Sequence, residues 1–301
     1  MKNSLLLAIG CLWFIACNPF QKKISELPNY SDAAIEANYR ILPDVEYGSD
    51  PKQTMDIYLS KNPDRLGRKN YTIIFIHGGG YYVSDKKAEE RYIQPYLRKG
   101  LNVVNLNYRL KKGIFTATED LASALQFLSE QQKTYSLDLD RIVLTGFSAG
   151  ALMAANIGCW YNEEDSPFAL PADVRVQAII NFSGPSHNLD TVEKIFVNWN
   201  DDFVVAIGKS FFPPHPNHTK SELVELLEPY NQFDTKDPAF FLWYGGDDNQ
   251  VPPVTHLKLI PLLESDPDKN QVLYVKEGQH SPNKEQLEAA YQEIWLFLDK
   301  L

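Results

Sequence analysis

Hydrophobic positions along this chain follow two different periods. Mainly apolar runs, rich in β-branched and aromatic residues, occur at 71–76, 101–107, 142–144, 176–182, 240–244 and 272–275. Runs of this length between glycine, proline and asparagine read as strands buried on both faces. Residues 38–59 read as the first strands, with alternation at 55–59. Helical spacing appears between the runs. Over 117–132, Leu121, Ala124, Leu125 and Leu128 fall on one face. Further helices are predicted at 85–99, ended by Gly100, and at 148–160, 253–263 and 284–301. Strands alternating with helices predict an α/β fold, a mostly parallel central sheet flanked by helices. One segment breaks the alternation. Residues 186–233 carry Phe196, Trp199, Phe203, Phe211 and Phe212 with Pro213 and Pro214, which reads as a small helical cap lining a pocket or as a satellite of the core.

The ends of the strands carry the chemistry. Gly146-Phe147-Ser148-Ala149-Gly150 joins the run at 142–144 to the alanine-rich helix. Gly-x-Ser-x-Gly between strand and helix is a turn that exposes a serine hydroxyl as a nucleophile, with glycine where side chains would collide. The helix start after it aims N–H groups at developing negative charge. His77-Gly78-Gly79-Gly80 follows the run at 71–76. Three glycines there let backbone donors approach a substrate oxygen.

Together these motifs resemble those of the α/β-hydrolases, and more narrowly the His-Gly-Gly-Gly esterase branch related to hormone-sensitive lipase. That branch includes acetyl- and feruloyl-type polysaccharide esterases and kynurenine formamidase. Asn105-Leu106-Asn107-Tyr108-Arg109-Leu110 is similar to the next strand end of that family, and the resemblance runs from about Met55 onward. It implies an oxyanion hole from the N–H groups of Gly79, Gly80 and Ala149. Gly245-Gly246-Asp247-Asp248-Asn249-Gln250-Val251-Pro252 resembles the family's Gly-x-x-Asp-x-x-Val-Pro, which assigns the acid to Asp248, with Asp247 as the alternative one position away. His280, in Gly278-Gln279-His280, follows the run at 272–275 and completes the order serine, acid, histidine. His187, His215, His218 and His256 lack that context. The resemblance therefore implies a serine carboxylesterase acting on short-chain or saccharide-linked esters through Ser148, His280 and Asp248. An arylformamidase-type amidase and an inactive hydrolase-fold binding lipoprotein are the alternatives. Tyr81, Tyr82 and Phe147 are the candidate substrate-binding residues. No cofactor or metal is implied, since no Cys or His pair has zinc-ligand spacing.

The first residues change the expected location. Residues 1–16 read as a signal peptide, with Lys2 before an apolar stretch too short to span a bilayer stably. Phe14-Ile15-Ala16-Cys17 resembles a bacterial lipobox, making Cys17 the lipidated first mature residue, with 17–37 as a polar linker and 38–301 as the hydrolase domain. That places the protein in the bacterial cell envelope, lipid-anchored or secreted. Besides Cys11 and Cys17 the chain has only Cys159, so no disulfide within the mature body is expected. Net charge is −10, which argues against nucleic acid and anionic lipid as partners and leaves membrane contact to the lipid anchor.

Overall fold

The computed structural model describes residues 32–301 apart from Asn162 and Glu164. The leader and Cys17 lie outside the described residues. Eight strands, β1 (Tyr39–Glu46), β2 (Thr54–Ser60), β3 (Thr72–Ile76), β4 (Asn102–Leu106), β5 (Ile142–Phe147), β6 (Val176–Phe182), β7 (Ala239–Gly245) and β8 (Gln271–Val275), form one sheet in the order β1-β2-β4-β3-β5-β6-β7-β8. β2 pairs antiparallel with β1 and β4, and from β4 to β8 every pairing is parallel.

The central strands β3, β4, β5 and β7 are buried along their whole length. Their residues divide by parity between the two faces of the sheet. Ile74 and Ile76 face a core shared with α3 (Gly113–Tyr135) and α4 (Ala149–Cys159), where Leu121, Leu125 and Leu152 pack. Ile73 and Phe75 face the opposite core, built with α1 (Asp32–Asn38), α2 (Gln94–Lys99) and α10 (Lys284–Lys300). Continuous apolar runs are therefore required because both faces are covered. Ile35 of α1 is buried in that second core, so a packed helix occupies part of the stretch read from sequence as linker. Among the described residues no helix is long and apolar enough to cross a membrane.

Two helices predicted from the sequence are shorter than expected. Over 85–99 the chain makes turns, a 3₁₀ turn at Glu90–Tyr92, and only then α2. The backbone of Lys86 is taken up elsewhere: its N–H donates to Asn107 Oδ1 at 2.7 Å and its carbonyl accepts from Asn105 Nδ2 at 2.8 Å. Pro95 then opens α2, and Gly100 closes it at φ 86°. Over 253–263 a 3₁₀ turn at Pro253–Thr255 precedes α9 (Ile260–Glu264), because the Thr255 carbonyl accepts the N–H groups of Ser186 and His187, both at 3.1 Å.

The 186–233 segment is a helical insertion between β6 and β7. It holds α5 (Leu189–Val197), α6 (Asp202–Lys209), α7 (Lys220–Leu227) and α8 (Pro229–Gln232). Asp201 caps α6 by accepting from the N–H groups of Phe203 and Val204, and Thr219 and Glu222 form a capping box on α7.

Candidate active site

Ser148 sits where β5 turns into α4. Its φ of 53° and ψ of −116° are sparsely populated for a residue with a side chain, at a cost of roughly 1–3 kcal/mol. The surroundings hold it there. Its N–H donates to the Phe182 carbonyl at 2.8 Å, and its carbonyl accepts from Leu152 at 3.1 Å. The flanking glycines have a steric reason. A Cβ on Gly146 would lie 2.4 Å from the Gly150 carbonyl carbon, and one on Gly150 would lie 2.1 Å from the Ile76 carbonyl oxygen. Neither contact is possible, so both positions exclude every residue with a side chain.

The structure brings His280 and Asp248 to this serine. His280 Nε2 lies 2.8 Å from Ser148 Oγ, and its Nδ1 lies 2.7 Å from Asp248 Oδ2. Both side chains are buried. The other carboxylate oxygen of Asp248 accepts the N–H groups of Gln250 at 2.8 Å and Val251 at 2.9 Å. The spacing after the acid thus serves to fix its carboxylate. Asp247 is exposed, and its N–H donates to the Gly278 carbonyl at 2.8 Å. Ser183 Oγ donates to the His280 carbonyl at 2.7 Å, anchoring the histidine loop to the end of β6. With the Nδ1 proton held by Asp248, Nε2 can accept the serine proton.

Beside Ser148 runs the glycine loop after β3. Gly79 takes φ 100°, where a Cβ would also lie 2.1 Å from the Val83 carbonyl oxygen. Tyr108 holds the loop: its hydroxyl is 3.1 Å from the carbonyl oxygens of both His77 and Gly78, and its ring stacks on His77 with centroids 4.3 Å apart. His77 is itself fully buried, with Nδ1 2.7 Å from the Gly78 carbonyl oxygen, and burial lowers its pKa from 6.5 to about 4. It is therefore a neutral supporting residue. Arg109, the next residue in the chain, donates through Nε and Nη2 to the buried Asp120 of α3 and fixes the strand end from the other side.

An apolar cavity of about 20 Å³ opens at Ser148, with Gly80, Leu152, Val192, Phe196 and Phe211 among its walls. Tyr81 also lines it and donates its hydroxyl to the Ala149 carbonyl at 3.2 Å. Tyr82 and Phe147 do not line it. Tyr82 packs edge-on against Phe203 with Lys111 over its ring. Phe147 lies between the stacked ring of Tyr92 and His280, each 5.1 Å away. A larger groove of about 370 Å³ between α2 and α10 contains none of the three polar site residues. Among the described residues no cluster of three or more His, Cys, Asp or Glu could hold a metal ion. Sequence reasoning did not find Ser183, whose signal is only a polar residue directly after a strand. It also did not find Tyr92 or Arg91, whose partners lie far along the chain.

The sequence profile of the BD-FAE family matches residues 55–261, and the chain belongs to this family. It is similar to Esterase LipQ of Mycobacterium tuberculosis, at 25% identity over 217 residues, covering 69% of this chain and 49% of that protein. It is also similar to the probable isoprenylcysteine alpha-carbonyl methylesterase ICMEL1 of Arabidopsis thaliana, at 31% identity, covering 69% of this chain and 44% of that one. The chain spans about half the length of these two relatives. In fold it resembles a truncated carbohydrate esterase from gut microbiota, with TM-score 0.68 and 21% identity, covering 87% of this chain and 96% of that one. Esterase B from Lactobacillus Rhamnosis gives TM-score 0.64 and 20% identity, covering 87% and 86%.

The buried state of His77 links the fold to pH. Between pH 6.5 and about 4 the unfolded chain takes up a proton that the folded imidazole does not. Stability therefore falls as pH drops through that window, by up to about 3 kcal/mol from His77. His256, lowered to about 3 by burial, acts in the same direction. Glu89 and Asp237, both raised to about 7 by burial, act in the opposite direction, so His77 shows in a difference: by urea unfolding, the change in stability from pH 7 to pH 4.5 should be less favourable in the unaltered protein than in His77→Gln. Equal changes in the two proteins would remove His77 from the linkage.

Proposed function

We propose that this BD-FAE family member is a serine hydrolase of carboxylic esters. The observation that carries the reading is the continuous chain Ser148 Oγ, His280 Nε2, His280 Nδ1 and Asp248 Oδ2, with separations of 2.8 and 2.7 Å. His280 takes the Ser148 proton as Oγ attacks the ester carbonyl carbon. The carbonyl oxygen becomes an oxyanion, received by the N–H groups of Gly79, Gly80 and Ala149. Each such donor contributes roughly 2.7–4 kcal/mol. Collapse breaks the bond to the alcohol oxygen, which leaves with the proton from His280. The acyl group now sits on Ser148. Water, deprotonated by His280, attacks the acyl carbon, and Oγ leaves and regains its proton. Asp248 stabilises the imidazolium formed in each half-reaction.

The small cavity beside Ser148 supports a short acyl group. Part of its wall comes from the cap, where Val192 and Phe196 of α5 face Leu152 of α4. One fold neighbour is a carbohydrate esterase, which makes an acetylated saccharide the first natural ester to test. We further propose that the leader directs export and that Cys17 carries the lipid anchor, a reading that rests on the sequence of residues 1–17. The protein would then act in the bacterial cell envelope.

Three experiments follow from this reading. Ser148→Ala should abolish hydrolysis of p-nitrophenyl acetate and labelling by a fluorophosphonate, while Asp248→Asn lowers kcat by up to about ten-thousandfold and Asp247→Asn by far less. Labelling that survives Ser148→Ala would rule out this nucleophile.

Chain-length dependence tests the cavity. An open apolar channel would raise kcat/KM about fourfold per methylene, from about 0.8 kcal/mol each. The small pocket should instead give its highest kcat/KM for acetyl to butyryl esters, with a fall beyond about six carbons. Phe196→Ala should move that limit to longer chains. Rates that climb steadily to octanoate in the unaltered protein would show an open channel.

Location is tested by fractionation. Cys17→Ser should release the protein from the membrane fraction or block processing of the leader. Normal processing with unchanged membrane retention would argue against an anchor at this residue.

A further inference from the structure

Arg91 is buried, lies outside the hydrolytic chemistry described above, and is spent almost entirely on one loop. It belongs to the 3₁₀ turn Glu90–Tyr92, between the glycine loop and α2. Its Nη1 donates to the Pro282 carbonyl at 2.9 Å, and its Nη2 donates to Ser281 Oγ at 2.5 Å and to the Tyr92 hydroxyl at 2.9 Å. Ser281 and Pro282 are the two residues that follow His280. Arg91 therefore crosses about 190 residues of sequence to hold the backbone directly after the imidazole.

Neutralising a charge is not its purpose. Glu89, two residues earlier, is also buried, yet the two side chains form no ion pair among the described residues, and Glu89 Oε2 has no hydrogen-bond partner. Burial pushes the Glu89 carboxyl up to about 7, against the pull of Arg91 and His280 and with a push from Asp85. A buried guanidinium carries a desolvation penalty that an apolar side chain would avoid. What Arg91 supplies in return is a planar fork that bonds two successive residues in fixed geometry. The segment it holds needs that help. Residues 276–283 form an irregular connection between β8 and α10. Ser183 fixes its His280 carbonyl on one side, and Arg91 fixes the next two residues on the other. Tyr92 extends the same support, since its ring stacks on Phe147, which in turn packs against His280.

We propose that Arg91 is a positioning residue for His280, holding the histidine loop so that Nε2 stays within bonding distance of Ser148. The proposal rests on the reading of Ser148, His280 and Asp248 as the hydrolytic centre. Arg91 touches neither the reacting atoms nor the apolar cavity. A misplacement of about 1 Å at a reacting pair can cost on the order of a hundredfold in rate, so the loss of this fork should appear in the chemical step.

The test compares p-nitrophenyl acetate kinetics, fluorophosphonate labelling rate and thermal unfolding for the unaltered protein and for Ser148→Ala, Arg91→Met, Arg91→Lys and Ser281→Ala. Equal activity of the unaltered protein and Ser148→Ala would overturn the reading of the centre itself. With that difference established, Arg91→Met should lower kcat and labelling rate by about 10- to 100-fold, with KM within about threefold, at temperatures well below its own Tm. Arg91→Lys can reach only one acceptor and should recover part of that loss. Ser281 is exposed, so Ser281→Ala should fold normally and still lose about threefold or more in kcat. Variants with a lowered Tm but an unchanged kcat and labelling rate per folded molecule would show that Arg91 only stabilises the fold. If Arg91→Met does not fold, unchanged kcat in both Arg91→Lys and Ser281→Ala would overturn the proposal equally.

Discussion

The arrangement depends on one backbone contact, the approach of the first turn of α4 to the end of β3. Gly150 lies so close to the Ile76 carbonyl that not even a methyl group fits between them. This contact seats Ser148 above the sheet and beside the glycine loop; a Cβ on Gly78 would lie 3.3 Å from the Ser148 Cβ. Parallel register does the rest. Ile76 pairs with Gly146, and Phe147 with Phe182, so the chain leaves β3, β5 and β6 in one row. Ser183, at the end of that row, bonds the His280 carbonyl. The glycine loop, Ser148 and the support of His280 are neighbours because three strands end together, the usual place for sites in open parallel sheets.

The cap closes this row from above, and it is bound to the glycine loop as well as to the sheet. Ile207 of α6 occupies the space where a side chain on Gly80 would stand, and Phe211 packs edge-on against Tyr81. Within the cap, Lys220 on α7 bridges Asp190 and Glu193 on α5. These are largely exposed pairs of small energetic weight. The cap is held mainly by apolar packing, with Val192, Phe196, Val204 and Ile207 buried in the same core as α3 and α4.

What could be read from the sequence was whatever depends on local spacing. The Ser148 turn was legible because its steric demand falls on residues two positions away. The acid was nearly so, because Asp248 uses the N–H groups of Gln250 and Val251, although Asp247 fits the same composition. The mostly parallel sheet was legible because short continuous apolar runs alternate with helical segments, the pattern of strands covered on both faces. Long-range bonds left no such trace. Residues 85–99 have helical composition, but Asn105 and Asn107 take the backbone of Lys86 for themselves. Tyr82 and Phe147 sit next to site residues in sequence, yet their rings turn toward Phe203 and Tyr92. Adjacency in sequence does not give side-chain direction. Arg91 could not be recognised at all, because nothing near it in the chain announces Ser281 and Pro282.

The distance along the chain between Ser148 and His280 also has a meaning in time. The two are 132 residues apart, and synthesis proceeds at about 5–20 residues per second. The ribosome therefore releases the serine roughly 7 to 26 s before the histidine. Throughout that interval the nascent chain carries Ser148 without His280. On the proposed reading it lacks the base that removes the serine proton, so hydrolysis is withheld until β8 and the loop after it have been made and docked.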